Sequence, residues 1–392
     1  MDMKRIQVAA RLNGLDTLRA IAILLVLAYH YMVFISSSPT FGLLSKIGWV
    51  GVDLFFVLSG YLIGNQIFSA IKSGQQFSLQ SFYIRRFLRT LPNYYVVLAL
   101  YFMFPLAMGG NPVTPLWKFL TFTQNLGLKS GSAFSQAWSL CIEEQFYLVL
   151  PAIALLIARF DKSFRWAWAV LVAGMLAGMA SRAWFWSLFA NDGDAYYTNV
   201  YYSSLSRFDE LLPGVAIAML KNFHGTGWQK LTARGHATLI AGLTVLAASF
   251  YLFLNHNYID GQGYTFFTTT FGYSLLPAGF ALLCVSALSP NSLLHKLRVP
   301  GAAPLALWSY AVYLVHKPLM HMIRQPMMER GIGVNSIPGI FIMLAASVLG
   351  GWLLYAVIET PFMRLRDRFY KTNGKRSVKP PDANVPVNAQ LR

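Results

Sequence analysis

The sequence predicts an all-α integral membrane protein of about ten transmembrane helices, with both termini in the cytoplasm. Hydrophobic residues make up 56% of the 392-residue chain and charged residues only 12%, about half of the charged share that is usual in soluble proteins. The apolar residues are grouped in blocks long enough to cross a bilayer as helices. Basic residues cluster between alternate blocks, as the positive-inside rule describes.

Ten apolar blocks of roughly the length of a membrane span follow one another along the chain. They occupy residues 15–35, 48–70, 91–108, 137–158, 166–189, 207–222, 237–255, 266–288, 304–323 and 337–358. If the N-terminus is cytoplasmic, most of the 32 basic residues also lie on the cytoplasmic side. We therefore expect a cytoplasmic segment 1–14, a transmembrane domain 15–362 and a basic, largely disordered cytoplasmic tail 363–392.

The net charge of +17 and the cysteine content exclude several classes of protein. Topology accounts for the basic residues, so no nucleic-acid partner is expected. The two cysteines, Cys141 and Cys284, both fall inside apolar blocks. Neither a disulfide framework nor a metal site is predicted from them. The partner that the composition does imply is the lipid bilayer.

Ionisable side chains occur inside the predicted spans, where they are costly and mark functional sites. Five spans carry them at a similar depth in the outer half, which predicts a polar chamber that opens outward. The alternative is a set of structural ion pairs and hydrogen bonds between helices, and Arg207 and Glu210, three residues apart, can pair with each other. The residues concerned are His30; Asp53; Glu143 and Glu144; Arg207, Asp209 and Glu210; and His316 and Lys317.

Helical spacing adds detail in the second and fourth blocks. Asp53, Gly60 and Gly64 share a helix face. The glycines there allow either close packing or room for a ligand. Glu143 and Glu144 point about 100° apart, so we expect one to face the chamber and the other to pair elsewhere.

Arginines characterise the inner side of the predicted membrane domain. Arg19 and His30 lie eleven residues apart in the first block, on nearly one azimuth and about 16 Å apart along the helix. Arg85, Arg86 and Arg89 form a second basic group before the third block. Guanidinium forks suit phosphates, so this cluster could hold a phosphorylated cytosolic ligand. The alternative is that these residues only set topology.

Several motifs together resemble those of one family. The motifs are the spacing of Arg19 and His30, GVDLFFVLSGYLIG, FYIRRFLRTLP, FTQNL (Phe122 to Leu126), WSLCIEEQFYLVLP, RFDELLPG and YAVYLVHKP. From about Leu15 to Phe362 the chain is similar to the acyltransferase-3 family of multi-pass membrane enzymes, which O-acylate cell-surface carbohydrates. It resembles the stand-alone members without an extracytoplasmic hydrolase-like domain. Cys141 and Thr360 depart from the family pattern, and Thr360 leaves the role of the inner IETPF motif open.

The resemblance implies an O-acyltransferase, usually an O-acetyltransferase, in a bacterial inner membrane. Its donor would be cytoplasmic acyl-CoA, usually acetyl-CoA, and its acceptor a carbohydrate such as an O-antigen or exopolysaccharide unit or a lipid-linked glycan. Arg19, Arg85, Arg86 and Arg89 would bind the donor phosphates. The catalytic residues would be His30, Asp53, Glu143 and Glu144. The substrate-binding residues would be Trp138, Tyr147, Arg207, Asp209, Glu210, Tyr313, His316 and Asn125.

The chemistry leaves two mechanisms and one rival function open. His30 could act as a general base on the sugar hydroxyl, oriented by Asp53 or by one glutamate of the pair. It could instead carry the acyl group as an acyl-imidazole. The rival is a proton-coupled transporter of a glycan or an anionic solute, since such carriers also bury ionisable groups. The sequence lacks the internal repeat typical of many transporters.

Overall fold

A computed structural model describes residues 13–74, 77–110, 113–160, 164–255 and 264–371, and within these ranges the chain is helical with no β-strand. Eleven helices in this part have twelve residues or more. They are α1 Asn13–Tyr31, α2 Gly51–Lys72, α3 Leu79–Met103, α4 Trp138–Phe160, α5 Arg165–Phe189, α6 Leu212–Phe223, α7 Gly235–Asn255, α8 Tyr273–Leu288, α9 Ala302–Glu329, α10 Ile337–Leu354 and α11 Thr360–Lys371.

Shorter helical segments, several of them 3₁₀ or π turns, connect or extend these helices. They are Met32–Ser36, Leu43–Ile47, Gly48–Val50, Pro105–Met108, Leu116–Leu120, Ser135–Ala137, Gly193–Tyr196, Tyr197–Tyr201, Ser204–Arg207, Phe208–Leu211, Gly225–Ala233, Thr268–Gly272, Leu293–Lys296 and Tyr355–Glu359. Several of them lie beside α1 and α4 and carry residues of the candidate site.

Seven helical stretches in the described residues are long and apolar enough, by length and composition, to cross a membrane. The other three predicted blocks fall on α3, α6 and α9. Helix α6 is too short at 12 residues, and α3 and α9 are less apolar. The total of ten spans therefore stays a prediction. The seven stretches are Asn13–Ser36, Leu43–Lys72, Ser135–Phe160, Arg165–Phe189, Gly235–Asn255, Thr268–Leu288 and Ile337–Phe369.

Helix α1 lies at the centre of the packing, against α2, α8 and α9. Its side chains Ile23, Val26 and Leu27 are buried, whereas α5, α7 and α10 expose large apolar side chains, such as Ile240 and Phe341. Such an apolar outer surface is what lipid covers in a membrane protein.

Glycines let α2 and α6 approach to backbone contact. A Cβ atom added at Gly60 would lie 2.0 Å from the carbonyl oxygen of Leu211, and one at Gly214 would lie 2.1 Å from that of Val57. Small residues at an interface allow helices to associate in lipid, where no hydrophobic effect drives them together. The face that Asp53 shares with Gly60 is therefore used for close packing.

The ends of the chain differ in part from the predicted domain limits. Helix α11 continues to Lys371, so residues 363–371 extend the helical domain and do not belong to a disordered tail. Most of the predicted cytoplasmic segment, residues 1–12, and the rest of the predicted tail, residues 372–392, lie outside the described residues.

Candidate active site

A cavity lined by arginines lies near the N-terminal end of α1, and we call it the arginine cavity. It holds all four arginines predicted to bind donor phosphates and, in addition, Arg366 of α11. No acidic side chain is among its described lining residues, so the cavity favours a polyanionic ligand. The lining residues are Arg19, Ser59, Leu62, Ile63, Gln66, Phe82, Arg85, Arg86, Arg89, Tyr147 and Arg366.

A second cavity, the passage, continues from the arginine cavity into the helical bundle. The two share Arg19, Ser59, Arg86 and Arg89. The passage adds polar and aromatic side chains from α3, α4 and α9, namely Thr90, Ser139, Glu143, Tyr310 and Tyr313. A flexible chain bound by its phosphates in the arginine cavity can therefore extend into the passage.

The glutamate doublet divides as its helical spacing predicts. Glu143 lines the passage and accepts a hydrogen bond from Ser59, with 3.0 Å between Oε1 and Oγ. Glu144 faces Arg86, whose Nε lies 3.8 Å from Oε1. The Arg86 guanidinium also lies 3.8 Å from the ring centroid of Tyr147, a cation–π contact that fixes its position at the junction of the two cavities.

A third cavity, the histidine cavity, lies at the opposite end of α1. It contains His30 and the predicted substrate residue Trp138, and most of its walls are aromatic or small polar side chains. Aromatic faces with hydroxyl groups at their edges suit a sugar ring. The lining residues are Tyr29, His30, Val33, Phe34, Ser130, Gly131, Ser135, Gln136, Trp138, Tyr197, Tyr201 and Tyr202.

The imidazole of His30 is paired with that of His316. Nδ1 of His30 lies 2.7 Å from Nε2 of His316, and the two ring planes differ by only 8°. Nδ1 of the fully buried His316 lies 3.1 Å from the carbonyl oxygen of Val312. Because a carbonyl can only accept, His316 donates through Nδ1 and accepts through Nε2, and the proton between the rings belongs to His30. Nε2 of His30 is then left with its lone pair, as a general base requires.

The predicted carboxylate partner of His30 is replaced by this second imidazole. Asp53 is buried, and its Oδ1 accepts a hydrogen bond of 3.1 Å from Nη2 of Arg207. Glu143 lines the passage, and Glu144 lies beside Arg86. The structure therefore places an imidazole, and none of the three predicted carboxylates, in contact with His30. The residues predicted to share one outward chamber are divided, since Glu143 lines the passage, His30 lines the histidine cavity and Asp53 pairs with Arg207.

Arg207 is the centre of a fully buried group, which we call the Arg207 cluster. Its guanidinium pairs with Asp53 and with Glu210, and the latter pair is the one that the three-residue spacing predicts. The Arg207 Cζ atom also lies 5.3 Å from the ring centroid of Trp138 and 4.9 Å from that of Tyr201. Since both rings line the histidine cavity, the cluster supports its wall. Neither Arg207 nor Glu210 is among the described lining residues of the cavity.

Asp209 is committed to a separate ion pair that sequence reasoning missed. Both of its carboxylate oxygens accept hydrogen bonds from the buried Arg182 of α5, at 2.7 and 2.9 Å, and Ser274 bonds to both partners. Asp209 thus takes part in a contact between α5 and α8, and it is not among the described lining residues of the three cavities. The signal was available: Arg182 is a lone charge within an apolar block, and such a charge needs a partner.

Of the remaining predicted substrate residues, Tyr313 lines a cavity, whereas Asn125 supports a cavity wall from behind. Tyr313 lines the passage, donates a hydrogen bond of 2.5 Å to the carbonyl of Gln136 and lies 2.7 Å from Oγ of Ser139. Since Gln136 also lines the histidine cavity, this group separates the two cavities. Asn125 instead bonds to the carbonyl of Tyr202, at 3.0 Å. It therefore holds the wall of the histidine cavity from behind.

One family model and several known proteins match most of this chain. The model of the acyltransferase-3 family, described as an acyltransferase domain, matches residues 12–356. The peptidoglycan O-acetyltransferase OatA of Listeria monocytogenes is 28% identical over 379 residues, which are 90% of this chain and 56% of that protein. The putative peptidoglycan O-acetyltransferase YrhL of Bacillus subtilis is 30% identical over 369 residues, 89% of this chain and 54% of that protein.

A putative O-acetyltransferase of Staphylococcus aureus is 24% identical over 374 residues, 90% of this chain and 57% of its own length. This chain thus spans about half the length of the curated relatives that it matches. No solved structure matches it.

Proposed function

This chain belongs to the acyltransferase-3 family, and from that premise we propose that it is a membrane-bound O-acyltransferase. It moves an acyl group, usually acetyl, from cytoplasmic acyl-CoA to a hydroxyl group of a cell-surface carbohydrate. One observation carries the proposal: the arginine cavity shares four residues with the passage, and Tyr313 of the passage donates a hydrogen bond to the carbonyl of Gln136 in the wall of the histidine cavity. This arrangement suits a donor and an acceptor that approach from opposite sides of a membrane.

The donor binds with its phosphates in the arginine cavity. Arg19, Arg85, Arg86 and Arg89 supply planar groups of fixed positive charge that match phosphate oxygens. The pantetheine arm extends along the passage between Glu143 and Tyr313. Arg19 and His30 are about 16 Å apart along α1, a distance that such an arm can cover.

His30 acts on the acceptor hydroxyl as a general base. The hydroxyl oxygen forms a bond to the thioester carbonyl carbon, and its proton passes to Nε2 of His30. The tetrahedral intermediate then breaks its carbon–sulfur bond, and the proton leaves His30 for the CoA sulfur. His316 stabilises the imidazolium that forms, since its Nε2 accepts from Nδ1 of His30 at 2.7 Å. The ester and free CoA thiol are the products.

A double displacement on the same atom is the alternative. Nε2 of His30 attacks the thioester, CoA leaves, and the acyl-imidazole then transfers its acyl group to the hydroxyl. The tautomer that supports the first path supports this one too. Rapid quenching of the protein with labelled acetyl-CoA and no acceptor separates them, because only the double displacement leaves label on His30.

The acceptor is a carbohydrate in the histidine cavity at the outer side of a bacterial inner membrane. Trp138, Tyr201 and Tyr202 offer faces on which a sugar ring packs. Burial raises the pKa of the Tyr202 phenol above its ordinary value, so this hydroxyl keeps its proton and can donate to a sugar oxygen. Peptidoglycan is the first acceptor to test, since two relatives carry it in their names. O-antigen, exopolysaccharide and lipid-linked units follow.

The test is acetyl transfer by the purified protein in lipid nanodiscs. With labelled acetyl-CoA and peptidoglycan fragments or isolated glycans, we expect base-labile label to appear on the glycan with the wild type, and about 10²–10⁴-fold more slowly with His30→Gln. The matched control is His321→Gln, an exposed histidine of α9 outside the three cavities. If every acceptor stays unlabelled and acetyl-CoA does not stabilise the protein against heat, the proposal fails and the transporter alternative gains support.

A further inference from the structure

Helix α11 contributes a fifth arginine to the arginine cavity. Arg366 lies beyond the last predicted membrane block, yet it lines the cavity together with Arg85, Arg86 and Arg89. Among residues 361–369, only Met363 and Arg366 are partly buried, and they are one helical turn apart. They therefore form the inward face of α11, which packs against α3.

The five arginines do not occupy equivalent places. Arg19, Arg86 and Arg89 also line the passage, whereas Arg85 and Arg366 line only the arginine cavity. A donor whose thioester enters the passage must leave its nucleotide end on the side of Arg85 and Arg366. In CoA that end carries the ribose 3′-phosphate, which is farther from the sulfur than the pyrophosphate is.

Arg366 forms a partly exposed ion pair with its neighbour Asp367. Its Nε and Nη2 lie 3.1 and 2.8 Å from Oδ1 of Asp367. The Asp367 side chain is 50% exposed, and exposed ion pairs contribute little stability. The contact holds the guanidinium while one edge stays available to a ligand.

We propose that Arg366 binds the ribose 3′-phosphate of the donor and that α11 is part of the donor site. This inference rests on the proposed function, since it names a contact within the acyl-CoA site. Arg366 then makes the protein discriminate between acetyl-CoA and acetyl-3′-dephospho-CoA. A hydrogen bond to a charged group contributes about 1.5–3 kcal/mol, so the preference for acetyl-CoA is about 10-fold or more.

The test compares binding and transfer with the two donors, using the full chain in nanodiscs. The wild type prefers acetyl-CoA by about 10-fold or more. In Arg366→Gln the affinity for acetyl-CoA falls to that for acetyl-3′-dephospho-CoA, which itself stays unchanged. Arg366→Lys keeps part of the preference because the charge remains. The control variant Arg364→Gln, which changes an exposed arginine of the same helix, keeps the full preference for acetyl-CoA.

Three results overturn the inference, and one of them also overturns the proposed function. An Arg366→Gln protein that still prefers acetyl-CoA contradicts only the role of Arg366. If Arg366→Gln weakens the binding of both donors by the same factor relative to the wild type, α11 has a structural role instead. A wild type that binds neither donor removes the proposed function together with this inference.

Discussion

The two ends of α1 meet cavities of opposite chemistry. At the Arg19 end, five guanidinium groups line one cavity that has no acidic side chain among its described lining residues. At the His30 end, the cavity has aromatic walls, and the nearby guanidinium of Arg207 is fully buried and pairs with two carboxylates. Under the proposed function, arginine therefore serves donor binding at one end and structure at the other.

The difference shows that charge balance, more than residue type, separates these roles. A buried arginine paired with carboxylates stabilises the packing of the helices that carry these side chains. Removal of one partner destabilises the fold, because the remaining charges are then buried without compensation. An arginine in a cavity of unbalanced charge attracts an anion.

Loss of the base at the histidine end has the largest effect on acyl transfer. We expect His30→Gln to lower the acyl-transfer rate by about 10²–10⁴-fold, because Gln occupies a similar volume but cannot take the hydroxyl proton. Acetyl-CoA binding stays within a factor of about two of the wild type, since the arginine cavity is distant. Calorimetric binding and initial rates measure both. A variant with near-normal transfer would contradict any role of His30 in the chemistry.

Loss of the paired arginine destabilises the fold. We expect Arg207→Met to lower the free energy of unfolding by about 3–5 kcal/mol, because Asp53 and Glu210 are left buried without a counter-charge. Thermal unfolding in detergent measures the change. The triple variant with Asp53→Asn and Glu210→Gln recovers part of it. If Arg207→Met alone were as stable as the wild type, the Arg207 cluster would not stabilise the fold.

Loss of the second histidine affects catalysis and leaves the donor site intact. We expect His316→Phe to lower the rate by roughly 100-fold, the usual result of a small misplacement of a reacting group. His316→Gln keeps more activity, because its amide oxygen can still accept from Nδ1 of His30. The pH profile of the rate changes in both variants. An unchanged profile and rate would mean that the 2.7 Å contact has no catalytic effect.

Loss of one unbalanced arginine gives the smallest effect. We expect Arg89→Gln to raise the KM for acetyl-CoA by about 10-fold while stability changes little, since one of several phosphate contacts is lost. Arg159→Gln, an exposed arginine at the end of α4, is the matched control and leaves the KM unchanged. If the control has the same effect, general surface charge and not the cavity governs donor binding.

Much of the fold and part of the site follow from local patterns. Apolar blocks separated by basic segments predict the helices, because helix formation and burial depend on neighbouring residues. The shared face of Arg19 and His30, the divergence of Glu143 from Glu144 and the pairing of Arg207 with Glu210 need only the geometry of one helix.

Contacts between segments that are distant in the sequence could not be predicted from the geometry of single helices. His30 and His316 are 286 residues apart, and the sequence favoured Asp53 or one glutamate of the Glu143–Glu144 pair as the partner because a carboxylate is the usual one. Asp209 was assigned to substrate although its partner is Arg182. Arg366 was assigned to a tail although α11 folds back against α3.

By itself, then, the sequence determined an α-helical membrane domain and the chemical types gathered at the two ends of α1. Only the tertiary structure decided which charges neutralise one another and which face a cavity. The physical reason is that periodicity gives the direction of a side chain from its own helix axis, whereas charge balance depends on which helices lie next to each other.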